Sequence, residues 1–194
     1  IQLSRPIPPE GKLVQTGTIT DIFDKGKGAV FHAKITGETE GGDHLYDAHW
    51  AIFYLGAGGF GGDPGPKVNP ITPPEGVEPD FSSSCKIAEN QAALYRLSGD
   101  LNPLHLVPAA AIRGGFDRPI LHGLCTYGIA TRSLVSGPLA GDVSRLKKFK
   151  ARFSSVVYPG ETLTTEGWKT DRGYIVQAKT ENNIVLSNAV ALIE

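Results

Sequence analysis

The chain has 194 residues, 40% of them hydrophobic and 20% charged, with a formal net charge of −1 at pH 7. This composition excludes disordered and fibrous classes, and the near-neutral charge gives no electrostatic reason to expect a nucleic acid or an anionic membrane as partner. No apolar run approaches the roughly 20 residues a bilayer span needs, so a soluble chain is expected.

Length permits one large core or two small ones, since domains commonly run to about 100–150 residues. Cys85 and Cys125 lack paired C-x-x-C spacing, which suits a reducing compartment and reads them as buried small hydrophobes rather than disulfide or zinc ligands. The chain starts at Ile1 and contains no Met, and its opening, IQLSRPIPPEGKL, is too polar and proline-rich for a signal peptide. A processed or excised product, part of a larger chain with upstream residues missing, is therefore expected.

In chain order, residues 13–23 and 28–36 are rich in Val, Ile, Thr and Phe and are joined by DKGKG, which predicts a hairpin with a glycine-containing loop. LYDAHWAIFYL, residues 45–55, predicts a third strand, so this part should be an antiparallel meander without a helix. Residues 56–61, GAGGFG, match G-x-G-x-x-G after a strand. The helix a dinucleotide site requires does not follow, which excludes a nicotinamide or flavin cofactor and suggests close backbone approach instead. Residues 63–80 hold six prolines in 18 positions and predict a linker between a first repeat, 1–62, and a second, 81–194.

After a short apolar stretch, AENQAALYRLSG predicts a helix ending at Gly99. Leu124, Tyr127, Gly128, Thr131, Leu134 and Val135 recur at helical spacing, and Gly137-Pro138 ends the segment, predicting a buried helix of about four turns. Four strands are expected over residues 148–157, 161–170, 174–181 and 184–193, separated by YPG, DRG and ENN turns. PPEGKLVQTGTIT and YPGETLTTEGWKT also parallel each other, which suggests two related α+β units whose first helix lay upstream of Ile1.

Chemistry concentrates in Asp100-Leu101-Asn102-Pro103-Leu104-His105. Pro103 biases Asn102 toward an extended conformation, so Asn102 can cap a helix starting at Pro103 while Asp100 stays outside it. A carboxylate and an imidazole with reference pKa values of about 4 and 6.5 can activate water, one ionised and the other exchanging protons near neutrality. The alternative for this string is ordinary turn and cap chemistry.

Gly123 begins the buried helix, where an exposed N–H could meet developing negative charge; a glycine that merely permits tight packing is the competing explanation. His32, His44, His49 and His122 lack metal-ligand spacing, so no metal is assigned, and His122 reads as a satisfied structural histidine. Lys25 and Lys27 in the hairpin turn, with Lys147, Lys148, Lys150 and Arg152, could neutralise phosphates or protect a strand edge.

LYRLSGDLNPLH followed by FDRPILHGLCTYG closely resembles the MaoC-like hydratases, specifically the eukaryotic (R)-specific 2-enoyl-CoA hydratase 2 of peroxisomal multifunctional enzymes. The likeness continues through GGFGG, VSRLKKFKARF, VYPGETL and IVLSNA. The resemblance implies an α+β double hot-dog, antiparallel sheets wrapped on a central helix with the first repeat lacking its helix. The implied reaction is reversible hydration of trans-2-enoyl-CoA to (R)-3-hydroxyacyl-CoA in fatty acid β-oxidation, without organic cofactor or metal.

By motif, Asp100 and His105 match the family's catalytic dyad, Asn102 its supporting residue and Gly123 its oxyanion donor. Lys25, Leu101, Pro103, Leu104, Gly123 and Phe153 match positions that touch the CoA thioester. Peroxisomal location and a homodimer are expected on the same basis, although the ending ALIE is not a peroxisomal tripeptide. The rival readings are a hot-dog acyl-CoA thioesterase and a non-catalytic acyl-CoA-binding module.

Overall fold

The computed structural model describes residues 1–194 and divides into two compact units, Ile1–Pro70 and Ile71–Glu194. The first holds four strands, β1 (Gln2–Leu3), β2 (Leu13–Asp24), β3 (Gly28–Thr39) and β4 (His44–Leu55), and no helix. Antiparallel pairing gives the order β2-β3-β4-β1. The register places Ile19, Ile22, Phe31, Ala33, Ile35, Ala48, Trp50 and Ile52 on one face and Thr18, Asp21, His32, Lys34, Asp47 and His49 on the other. A bulge between Ile19 and Asp21 makes this separation possible. The extra residue reverses the alternation, bringing Ile22 rather than Asp21 onto the apolar face.

The predicted β2–β3 hairpin is present, and the glycine-rich stretch after β4 folds back against its turn. The Asp24 carboxylate accepts the N–H groups of Gly26, Gly59 and Gly61, each at 2.8 Å. These backbone donors, those of Gly59 and Gly26 first, hold the carboxyl below its ordinary value. A Cβ on Gly58 would lie 2.4 Å from the Gly28 carbonyl oxygen. Glycine is therefore required there for two backbones to approach, as the failed dinucleotide motif suggested.

The second unit contains β5 (Phe81–Lys86), α1 (Gln91–Tyr95), α2 (Pro108–Arg113), α3 (Gly123–Ser136), β6 (Leu146–Phe153), β7 (Thr162–Thr170), β8 (Gly173–Lys179) and β9 (Ile184–Ile193). Its strands are antiparallel in the order β6-β9-β8-β7-β5. Ala130 and Leu134 of α3 share a core with Phe149, Leu163, Val176, Ala178, Leu186 and Ala189 from the sheet. The Tyr127 hydroxyl donates to the Phe149 carbonyl at 2.8 Å, tying α3 to β6. Burial drives the Tyr127 phenol well above its ordinary pKa, so it stays a neutral donor. A sheet packed on one long helix is the hot-dog arrangement.

Several local expectations change. The helix expected up to Gly99 is short: α1 passes into a 3-10 turn over Arg96–Ser98, and Gly99 adopts φ 113°. Short elements without clear periodicity, β1, β5 and α2, were not anticipated. The four-turn helix exists, but its buried face is Cys125, Thr126, Ala130, Ser133 and Leu134, while Leu124 is exposed. Small and hydroxylated residues can face the sheet because Ser133 satisfies its own hydroxyl on the Ile129 carbonyl.

Cys125 is buried as expected, but Cys85 is only partly so, and its sulfur accepts a hydrogen bond from Arg132 at 3.1 Å. The first strand of the last four ends at Phe153 rather than at residue 157. Residues 56–80 form no helix or strand, but Ile71–Asp80 are pinned to the second unit. The Ile71 N–H donates to Asn188, Trp168 donates to the Val77 carbonyl, and Asp80 exchanges bonds with Gly167 and Lys169.

Candidate active site

Gly99, in the left-handed region, turns the chain out of the 3-10 segment and into Asp100. Asp100 Oδ1 accepts the Asn102 N–H at 3.2 Å, and the Asn102 side chain accepts the Leu104 N–H at 3.1 Å, capping a 3-10 turn over Pro103–His105 with proline at its first position. The cap predicted for Asn102 is thus present on a single 3-10 turn. Two successive side-chain turns and a proline leave Asp100 exposed at the rim and deliver His105 into the interior, where it is buried.

His105 Nδ1 lies 2.8 Å from the Ile120 carbonyl oxygen. A carbonyl only accepts, so Nδ1 carries the proton and, in the neutral ring, Nε2 carries the lone pair. His122 stacks on this ring with centroids 3.7 Å apart and planes 27° from parallel. Its Nε2 donates to the Asp100 carbonyl at 3.2 Å. His122 also lies against Tyr95, at 4.9 Å between ring centroids. It is fully buried, and its Nδ1 has no hydrogen-bond partner. Burial first, and the nearby His105 second, lower its pKa. The expectation of a satisfied histidine is therefore corrected: Nε2 is satisfied and Nδ1 is not.

Gly123 is the first residue of α3, after His122, whose carbonyl receives the N–H groups of Cys125 and Thr126. At this position the Gly123 N–H has no acceptor inside the helix. His105, Gly123, Thr126 and Phe153 line one cavity of about 130 Å³, together with Ile120, Leu121 and residues 155–157. The lining is mostly apolar, with an imidazole and a helix N-terminus at its wall.

Asp100, Leu101, Asn102, Pro103 and Leu104 do not line the cavity. Asp100 approaches the imidazoles from the rim, while Leu104 packs toward Gly114, whose added Cβ would lie 2.9 Å from it. Lys25 belongs to the other unit, where its ammonium donates to the Pro64 carbonyl and stands 5.6 Å from the Phe23 ring centroid. Lys147 pairs with Glu194 at 3.4 Å. Thr126 escaped the sequence reading although it lies three residues beyond Gly123, the spacing that puts two side chains on one helix face. Spacing alone reads His122 as structural, because only the fold stacks it on His105.

A carboxylate oxygen of Asp100 and a ring nitrogen from each of His105 and His122 lie within 4.8 Å of one another. Imidazole lone pairs point along the ring plane, and two stacked rings do not aim them well at one ion. One nitrogen of each ring is also committed to a backbone carbonyl. The arrangement suits proton exchange at the free His105 nitrogen beside an ionisable carboxyl and a backbone N–H donor.

The MaoC like domain matches residues 71–190, and the MFE-2 hydratase 2 N-terminal domain matches residues 1–56. The chain belongs to the MaoC-like hydratase family. It is 46% identical to "Probable enoyl-CoA hydratase 2" of Dictyostelium discoideum, over 100% of this chain and 68% of that protein. Identity to the peroxisomal multifunctional enzyme type 2 of Mus musculus is 41%, over 97% of this chain but 26% of the mouse enzyme. The crystal structure of a MaoC-like dehydratase from Phytophthora capsici superposes with a TM-score of 0.90 at 33% identity, covering 100% of this chain and 69% of that one. This MaoC-like chain thus corresponds to about two thirds of a stand-alone relative and about a quarter of a multifunctional one.

Proposed function

We propose that this MaoC-like chain hydrates trans-2-enoyl-CoA thioesters reversibly to (R)-3-hydroxyacyl-CoA, the hydration step of fatty acid β-oxidation. The observation that carries the proposal is the convergence of His105 and the Gly123 helix start on one apolar cavity, with Asp100 beside the imidazoles. The relatives' names supply the substrate class.

In this reaction the water oxygen bonds to C3, the C2–C3 π pair shifts toward the thioester oxygen, and a proton then joins C2 as the carbonyl reforms. Nothing is oxidised or reduced. Asp100 and His105 hold the water, one removing its proton and the other supplying one to C2. The Gly123 N–H points its partial positive charge at the thioester oxygen while the enolate-like charge develops. Asn102 fixes the loop that carries both groups, and Phe153 borders the thioester. Lys25, Leu101, Pro103 and Leu104 are assigned to coenzyme A on motif correspondence alone.

The division into a first repeat 1–62, linker 63–80 and catalytic repeat 81–194 is part of the same proposal, as are a homodimer, membership of a longer multifunctional chain and a peroxisomal location. The location rests on the mouse relative's name. No helix is long and apolar enough to cross a membrane.

The test is incubation with trans-2-decenoyl-CoA, following loss of the conjugated double bond and then the chirality of the product. Asp100→Asn and His105→Gln should each reduce turnover by about 10²–10⁴-fold. Release of free CoA with the double bond intact would point to thioester hydrolysis instead. Tight acyl-CoA binding without turnover would make the chain a binding module.

A further inference from the structure

We propose that His122 is a positioning residue that must remain uncharged: its Nε2–H holds the Asp100 backbone while its ring face sets the plane of His105. The inference rests on the hydratase reading and adds a third residue to the Asp100–His105 pair. The ring is fully buried, and its position at the N-cap of α3 ties it covalently to Gly123. One residue therefore contacts the elements carrying all three reacting groups: Asp100 through a hydrogen bond, His105 through a stacked ring and Gly123 through the peptide bond.

The tautomer follows from the partners. The Asp100 carbonyl can only accept, so His122 Nε2 carries a proton; Nδ1 has no partner and no solvent, so in the neutral ring it holds a bare lone pair. Protonating Nδ1 would bury a charge with no hydrogen-bond acceptor against the His105 ring. The groups that face His122 are the His105 ring, the Tyr95 ring from α1, the Arg96 guanidinium and Asp100. His105 and Arg96 oppose a positive charge; Asp100 favours one but sits exposed at the rim. A neutral His122 lets His105 gain and lose its proton without a second cation stacked on it.

The pair of contacts also explains why a histidine serves here. It provides a flat ring for stacking and one N–H for the carbonyl, whereas an amide brings no ring and phenylalanine brings no donor. The cost is a buried lone pair.

The test combines ring nitrogen NMR of the full chain with two variants. His122 should show a protonated Nε2 and an unprotonated Nδ1, and should take up its second proton at lower pH than a free imidazole. His122→Phe keeps the ring but loses the donor; its kcat for trans-2-decenoyl-CoA should fall roughly ten- to thirtyfold with KM little changed. His122→Gln restores a donor toward Asp100 and should recover part of that loss.

The idea is overturned if the His122 ring protonates like a free imidazole. It also falls if His122→Phe folds and keeps the wild-type kcat and pH–rate profile. Should the phenylalanine variant not fold, the ring NMR and the glutamine variant decide alone. Absence of hydration by the wild-type chain would remove the hydratase reading, while the His122 tautomer and the Asp100 amide shift in His122→Phe would still judge the positioning claim.

Discussion

Replacing Gly123 with alanine should leave folding nearly unchanged while lowering activity sharply. Gly123 is the first residue of α3 and does not have a positive φ, so the backbone accepts alanine without strain. Alanine is favoured over glycine inside a helix by about 1 kcal/mol, and by less at a first position. The new Cβ would meet Phe153 Cε1 at 3.3 Å and Cδ1 at 3.4 Å, a contact that needs a shift of a few tenths of an ångström. Phe153 is 45% exposed and can tilt away. The two effects nearly cancel, so stability should stay within about 1 kcal/mol of the parent.

On the proposed role of Gly123 as oxyanion donor, the same methyl stands where the thioester oxygen would approach its N–H. Losing one oxyanion donor costs about 10²–10³ in kcat. Thermal unfolding and hydration of trans-2-decenoyl-CoA, measured on one preparation, read the two effects separately. A variant that keeps kcat within about threefold, a barrier change under 1 kcal/mol, would show Gly123 to be a packing glycine. A variant that unfolds many degrees lower would show the same by another route.

Leu134→Ala, which empties a fully buried position on α3 against the sheet, should cost about 2–5 kcal/mol in urea unfolding without touching the cavity. Asp24→Ala should speed amide hydrogen exchange at Gly59 and Gly61, since its carboxylate is their acceptor. For pH, the unfolded chain takes up a proton at His122 near pH 6.5 while the folded chain, with the lowered pKa, resists it. Stability should therefore fall as pH drops below about 6.5, by at most about 1.4 kcal/mol per pH unit from this group, and level off once the folded ring also protonates. His122→Phe should lack that component of the slope, as thermal unfolding across the acid range will reveal.

Much of the second unit was legible because its signals are local. Pro103 and Asn102 set the cap on the Asp100–His105 turn, Gly137-Pro138 stops α3, and the DRG and ENN turns mark off β8 and β9. Short elements were lost because a six-residue strand such as Phe81–Lys86, or one turn and a half of helix such as Pro108–Arg113, is too brief for a period to emerge. The face of α3 was legible only in part: Leu134 is fully buried and Tyr127 packs against the core, but Leu124 is exposed and the small Cys125, Ala130 and Ser133 face inward so that the sheet can come close.

The amino-acid sequence by itself determined the family, the strand-only character of the first unit and the capped turn from Asp100 to His105, because these rest on contiguous motifs and backbone chemistry. Only the tertiary structure decided how the site is assembled. It stacked His122 on His105, gave each imidazole a carbonyl that dictates its tautomer, set Gly123 beside Phe153 and left the dyad loop's leucines outside the cavity. Those are contacts between residues 15 to 30 positions apart. Proton position and burial depend on three-dimensional neighbours, which a local pattern does not encode.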